Sequence, residues 1–115
     1  MSKVLRAIRR QAFVRSRGAC EHCRRGVIEE SGFWNSAHLD HFWGRAREES
    51  LESCWILCPK CDHEKTNNDP SNTTWCERFR AHCITHGYTE QLEKIEARVQ
   101  WNAAKFTTQH HTKEK

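Results

Sequence analysis

Two pairs of cysteines constrain this chain more than any other feature. Cys20 and Cys23 form one C-x2-C turn, and Cys58 and Cys61 form another. Two residues between thiols let one tight turn aim both sulfurs at a single tetrahedral ion, and two such turns complete a four-thiolate shell. The alternatives are four reduced thiols in a core, or a redox pair of thioredoxin type, for which the flanking βαβ pattern is missing. A structural zinc ion is the expectation. The gap between the pairs is longer than in a simple zinc ribbon and has room for a strand pair and its loop. Arg17-Gly18-Ala19 leads into the first pair with small residues, so that backbone amides can approach the sulfurs.

Such a staple is needed here. The chain has 115 residues, 37% hydrophobic and 30% charged, which is enough for one domain with a small core. The N-terminal stretch is basic and amphipathic and has no apolar h-region. It shares these traits with mitochondrial transit peptides, but it runs directly into the first thiol pair and reads as part of the fold. No apolar run is long enough to span a membrane. A reducing cytoplasm is expected, where paired thiols more often mean metal than disulfide.

The net charge of +4 is unevenly placed. Lys3, Arg6, Arg9, Arg10, Arg15, Arg17, Arg24 and Arg25 precede Val27, against Glu21 alone. A basic end on a near-neutral body suits a polyanion; the plainer explanation is a solvated helix face.

Residues 3–16 read as a helix with Val4, Leu5, Ile8 and Ala12 on one face and Phe13 off the stripe. Gly18 is the expected stop. Residues 26–28 suggest a short strand, 29–35 a turn, and 36–42 a strand that Gly44 breaks. Residues 45–50 form a charged loop. Residues 51–57 return as a strand or a short helix, with Trp55 and Ile56 packed. The second thiol pair runs into a helix over 58–66, and 67–71 is a break. Two amphipathic helices follow. Trp75, Phe79, Cys83 and His86 mark the first; Leu92, Ile95, Val99, Ala103 and Phe106 mark the second. The tail from Thr107 is expected to fray. Cys76 and Cys83 read as small buried residues.

Asp40 and His41 end the first long strand. A carboxylate is a hard ligand for Mg2+ or a similar divalent ion, and a neutral imidazole takes a proton from water near neutral pH. Strand neighbours point to opposite faces, so both serve one phosphate only where the strand bends or ends. A surface Asp beside a structural His is the plain alternative. Asp62, His63 and Lys65 follow the second thiol pair, so a zinc ion would fix their position relative to the strand. Lys65, Arg45 and Arg47 suit phosphate. His38 shares the Asp40 face, as a further ligand or a packed histidine. Trp34 and Trp43 are candidates for stacking on bases or for the core; Trp55 fits the core.

Gly18-Ala19-Cys20 with Cys23, then Leu39-Asp40-His41, then Leu57-Cys58 and Cys61 with Lys65-Thr66 resemble the HNH endonuclease family in its four-cysteine zinc version. The resemblance covers residues 15–66. It implies a ββα-metal core, an α+β fold in which two antiparallel strands and a helix surround one catalytic divalent ion. It also implies phosphodiester hydrolysis to a 5′-phosphate and a 3′-hydroxyl. By position, Asp40 matches the metal-binding acid and His41 the general base. Ser53 stands where the family has Asn. Asp62 stands where it has the last His, and His63 is one place later.

The expected arrangement is one domain over 1–115. A basic helix (1–17) precedes a zinc-stapled ββα core (18–68), a helical pair (71–106) and a tail (107–115). The expected function is a metal-dependent DNA endonuclease of the kind found in phages and bacteria. It would use His41 as base, Asp40 with Asp62 or His63 on Mg2+ or another divalent ion, Ser53 as a support, and zinc on Cys20, Cys23, Cys58 and Cys61. Arg6, Arg9, Arg10, Arg24, Arg25, Arg45, Arg47 and Lys65 would meet the DNA, and a larger protein is a candidate for targeting. The rival readings are a non-catalytic zinc-stabilised module that binds DNA or protein, and a redox-responsive zinc switch using Cys54, Cys76 and Cys83.

Overall fold

Helix α1 (Lys3–Ser16) begins the chain, and its buried side chains Leu5, Ile8, Ala12 and Ser16 lie on one stripe. Val4, expected on that stripe, is 64% exposed. The helix buries the rows that contain Leu5 and Ala12, and Val4 falls one position off them. Two consecutive left-handed residues, Arg17 (φ 57°) and Gly18 (φ 72°), end α1. The Ser16 hydroxyl donates to the Phe13 carbonyl at 2.7 Å inside the last turn. This computed structural model describes residues 3–44, 49–66 and 73–114. The loop carrying Arg45 and Arg47 and the break at 67–71 lie outside them.

The molecule is α+β: the described residues form four helices, a two-stranded antiparallel sheet and a cluster of four cysteines. Strands β1 (His38–His41) and β2 (Cys54–Leu57) pair with Asp40 opposite Trp55 and His41 opposite Cys54. Both are shorter than expected. Residues 51–53 are a turn, and residues 26–28 make only isolated bridges, Ala19 to Gly26 and Ile28 to Ser36. The cause is local closure: the Val27 amide donates to the Gly18 carbonyl and the Ile28 amide to the Asn35 carbonyl, which folds this segment on itself. All four residues of β2 are buried, so this strand is an apolar run and not an alternation. Helix α2 (Pro59–Thr66) follows at once. Pro59 sits where its missing N–H costs nothing, because the first helical amides have no intrahelical partner.

Chain contacts divide the protein into two compact units, residues 1–67 and 68–115. In the first, α1 and α2 both pack on the hairpin. The second is an antiparallel pair, α3 (Thr73–His86) and α4 (Thr89–Glu114). Trp75, Cys76, Phe79, His82 and Cys83 are buried on α3. On α4 Ile95 is buried as expected, joined by the polar Gln91. Helix α4 continues to Glu114, so the tail expected to fray is helical. Phe106 lies outside the described side chains.

A buried ion pair joins α1 to the first thiol turn. Arg15 donates to both Glu21 oxygens, at 2.9 Å and 2.7 Å. It also donates to the Leu51 and Cys54 carbonyls, at 3.0 Å and 2.8 Å. Glu21 in turn caps the outer edge of β2: its amide donates to the Ile56 carbonyl at 2.7 Å, and its carboxylate accepts the Ile56 amide at 2.9 Å. The two side chains are 10% and 2% exposed. Removing one partner of such a pair leaves a buried charge uncompensated, at a cost of roughly 3–5 kcal/mol. Arg15→Ala or Glu21→Gln should therefore lower unfolding free energy by about that amount in denaturant titrations of the metal-loaded chain. Arg10→Ala, at the exposed Arg10–Glu29 contact, should cost less than about 1 kcal/mol.

Candidate metal centre and the cavity beside β1

The four cysteine sulfurs of Cys20, Cys23, Cys58 and Cys61 lie within 4.8 Å of one another. A tetrahedral zinc with bonds of about 2.3 Å would set its sulfurs roughly 3.8 Å apart. Cys23 and Cys58 are separated by 3.7 Å, so the donor set fits a metal ion such as zinc. Each turn supports its own first sulfur, since the Cys23 amide approaches Cys20 Sγ at 3.5 Å and the Cys61 amide approaches Cys58 Sγ at 3.4 Å. The left-handed Arg24 (φ 68°) closes the first turn. Its amide donates to the Cys20 carbonyl, and the Cys20 amide donates to the Arg25 carbonyl.

Burial, reinforced for Cys61 by the charge of Cys20, pushes the Cys20 and Cys61 thiols up. Burial also works against the Cys23 thiolate, but the Arg25 backbone and the neighbouring thiols outweigh it and pull this thiol down. A bound cation offsets the cost of gathering four thiolates, which makes ion binding part of folding. His22, which the sequence argument passed over, brings Nδ1 to 3.2 Å from Cys61 Sγ. Its place between two ligands was the available signal. Ring N–H groups on metal-bound thiolates are the usual outer support of such sites.

The spare thiols behave differently. Cys54, Cys76 and Cys83 are fully buried. Burial pushes Cys54 up to about 11, which keeps it a thiol at neutral pH. Inert buried thiols count against a redox switch.

Asp40 on the hairpin and Asp62 on α2 are tied to different partners. Trp55 Nε1 donates to Asp40 Oδ2 at 2.8 Å, and Lys65 Nζ lies 3.2 Å from the same oxygen. Lys65, expected to hold phosphate, is 7% exposed at its side chain. Its ammonium also lies over the Phe42 ring, 4.8 Å from the centroid. It is held there because α2 presents Asp62 and Lys65 one turn apart to β1, where His38 and Asp40 share a face. Asp62 Oδ2 meets His38 Nδ1 at 2.8 Å. His63 is exposed.

Ser53 is buried and ties the turn before β2. Its hydroxyl accepts the Ser50 amide at 3.2 Å and donates to the Ser50 carbonyl at 3.1 Å. The strand does not bend at Asp40-His41, because the Phe42 amide still donates to the Ser53 carbonyl at 3.0 Å. The pair therefore keeps the opposite orientations that a pleated strand imposes.

A cavity of about 400 Å3 opens beside β1. His38, Leu39 and His41 line it, with Asp62 of α2, Arg9 of α1 and Gly32 of the turn before the strand. His41 Nε2 is buried without a hydrogen-bond partner. Of the other cations expected to meet DNA, Arg6, Arg24 and Arg25 are exposed. Arg9 donates to the Glu29 carbonyl at 3.2 Å, and Arg10 pairs with the Glu29 carboxylate at 2.6 Å.

Trp55 is fully buried, as expected of a core residue. Trp43 is half-buried, edge-on to Phe42 at 5.0 Å between centroids. No described helix is long and apolar enough to cross a membrane. Comparison of the chain with family models, with curated proteins and with solved structures returned no match.

Purified protein should carry about one thiolate-bound metal ion per chain by elemental analysis. Cys20→Ser and Cys61→Ser should each lose it, with loss of the folded near-ultraviolet signal around Trp55. Retention of a full equivalent by either variant would exclude the four-sulfur site.

Proposed function

We propose that the first unit is a metal-assisted phosphodiester hydrolase acting on DNA, stapled by a zinc ion on Cys20, Cys23, Cys58 and Cys61. The observation that carries this reading is the placing of His41, whose Nε2 is buried without a hydrogen-bond partner, among the residues that line one cavity with His38 and Asp62. The resemblance of residues 15–66 to HNH endonucleases supports the same chemistry.

Among the described strands, β1 pairs only with β2, so its other side is an open edge. A phosphodiester lying along that edge meets side chains from both faces of the strand, so no bend is required at Asp40-His41. His41 takes a proton from the attacking water. As the water oxygen bonds to phosphorus, the bond to the 3′-oxygen breaks and that oxygen is protonated by solvent. A 5′-phosphate and a 3′-hydroxyl result. Arg9 and the exposed Arg6 hold the flanking phosphates as cations.

Asp40 and Asp62 would hold a divalent ion such as Mg2+ through their carboxylate oxygens. Both described contacts of Asp40 go to Oδ2, which leaves Oδ1 for an ion. Trp55 and Lys65 then act as the outer support that a ligating carboxylate needs. When bound, the ion supplies charge compensation at the phosphate and the leaving oxygen. Lys65 already neutralises Asp40, so tight ion binding requires Asp62 and the negative charge of the substrate.

The same ion pair favours one rival, a DNA- or protein-binding module without catalysis. Plasmid cleavage separates the two. Purified protein with Mg2+, Mn2+ or Ni2+ should nick or cut plasmid, and EDTA should stop it. His41→Ala should lower the rate at least about a hundred-fold, the usual scale of a general base, with DNA affinity and zinc content unchanged. Normal cutting by His41→Ala would refute the base. Absence of cleavage by zinc-loaded wild type under every metal would leave the binding module.

A further inference from the structure

Trp34 is 80% exposed and its neighbour Phe33 is 54% exposed. A tryptophan carries one of the largest apolar surfaces a residue can bury. A chain that is only 37% hydrophobic has little reason to leave one in water. Single exposed aromatics are common on soluble proteins, so exposure alone decides nothing. Three further observations do.

The turn that presents both rings is built, not slack. The Ser36 hydroxyl is buried and donates to the Glu30 carbonyl at 2.7 Å while accepting the Phe33 amide at 2.8 Å. The Ile28 amide donates to the Asn35 carbonyl at 3.0 Å, and the Ala37 amide to the Ile28 carbonyl at 2.7 Å. Helix α1 clamps the start of the turn through Arg9 and Arg10 on Glu29.

The same turn walls the cavity. Ser31, Gly32 and Ser36 line it together with His41 and Asp62, so the turn that carries the two rings borders the cavity.

The exposed ring also lacks the cover that other tryptophans have. Arg98 lies over Trp101 at 4.7 Å and Arg78 over Trp75 at 4.6 Å. No ring or cation partner is described for Trp34. A flat unclaimed π face on a turn held by Arg9 and Arg10, with Arg9 also lining the adjoining cavity, complements a group that is planar and attached to an anionic backbone. A nucleotide has both properties.

We infer that Trp34, supported by Phe33, stacks on an unpaired nucleobase of DNA next to the phosphate held at the β1 cavity. The inference rests on the hydrolase reading and adds to it a preference for single-stranded or locally opened substrate. Stacking on an aromatic side chain tolerates any base, so the contact positions the strand without reading its sequence.

The test is equilibrium binding of a fluorescein-labelled single-stranded oligonucleotide and of the matching duplex, in EDTA at fixed salt. Zinc content and circular dichroism on the same samples check the fold. Trp34→Ala should weaken single-strand binding roughly ten- to a hundred-fold and duplex binding much less. Trp34→Phe should restore most of the loss. The salt dependence should not change, because no phosphate contact is removed.

Equal single-strand binding by wild type and Trp34→Ala would overturn the inference. If wild type still cut plasmid with metal and His41, the hydrolase reading would survive that result. Trp34-dependent binding in a protein that cuts nothing would keep the base contact and reject the hydrolase. Self-association abolished by Trp34→Ala, with DNA binding unaltered, would assign the rings to a second copy of this chain and overturn the inference.

Discussion

Closure of the two thiol turns on one another is the constraint from which the first unit follows. The first turn lies against the outer edge of β2 and the second opens α2, so joining their sulfurs orders three elements together. Glu21 sits between the ligands of the first turn and caps β2 at Ile56. Arg15 then locks α1 onto Glu21 and onto two carbonyls near β2. A buried carboxylate with a two-pronged guanidinium and a backbone amide on it is well satisfied, the condition under which burial of charge is tolerable. With so few large apolar residues, this polar framework supplies order that the core does not.

The thiol closure also decides where the chemistry can be. Cys61 stands in the first turns of α2, so its position sets the rotation of that helix. Rotation sets which side chains meet β1, and these are Asp62 and Lys65, one turn apart. They meet His38 and Asp40, two residues apart on one strand face. The result is a partly exposed His38–Asp62 contact beside a nearly sealed Lys65–Asp40 ion pair. His41 points away from both and reaches the cavity from the other face. An edge strand lets groups of opposite orientation serve one ligand, which a central strand would forbid.

What was legible in the sequence was local. The C-x2-C spacing, the Asp40-His41 pair, the stripe of Leu5, Ile8 and Ala12, and the apolar run into Cys58 are all properties of neighbours along the chain. Each has its counterpart in the structure. Less legible were pairings between distant residues. Arg15 was counted with the basic cluster, and Glu21 was its lone acid; their meeting depends on the folded path of the thiol turn. Lys65 reads as an open cation until α2 is rotated onto Asp40. Val27 and Ile28 have strand-forming side chains, but local closure of the chain leaves residues 26–28 only isolated bridges. His22 was hidden because the spacing argument looks through the residues between thiols.

The balance of charge around β1 argues for a substrate that brings its own negative charge. Lys65 offsets Asp40, and His38 engages Asp62. The carboxylates are thus partly satisfied before any divalent ion arrives, and a hard cation competing for Asp40 would meet an ion pair already made. A phosphodiester changes that sum. Its charge draws Arg9 at the cavity wall and adds the further oxygen that a divalent ion of this class demands. Under the proposed function, ion and substrate would strengthen each other's binding, each being poorly held without the other. In the proposed hydrolase, such mutual dependence would make the polyanion the condition for assembling a reactive centre at the edge of β1.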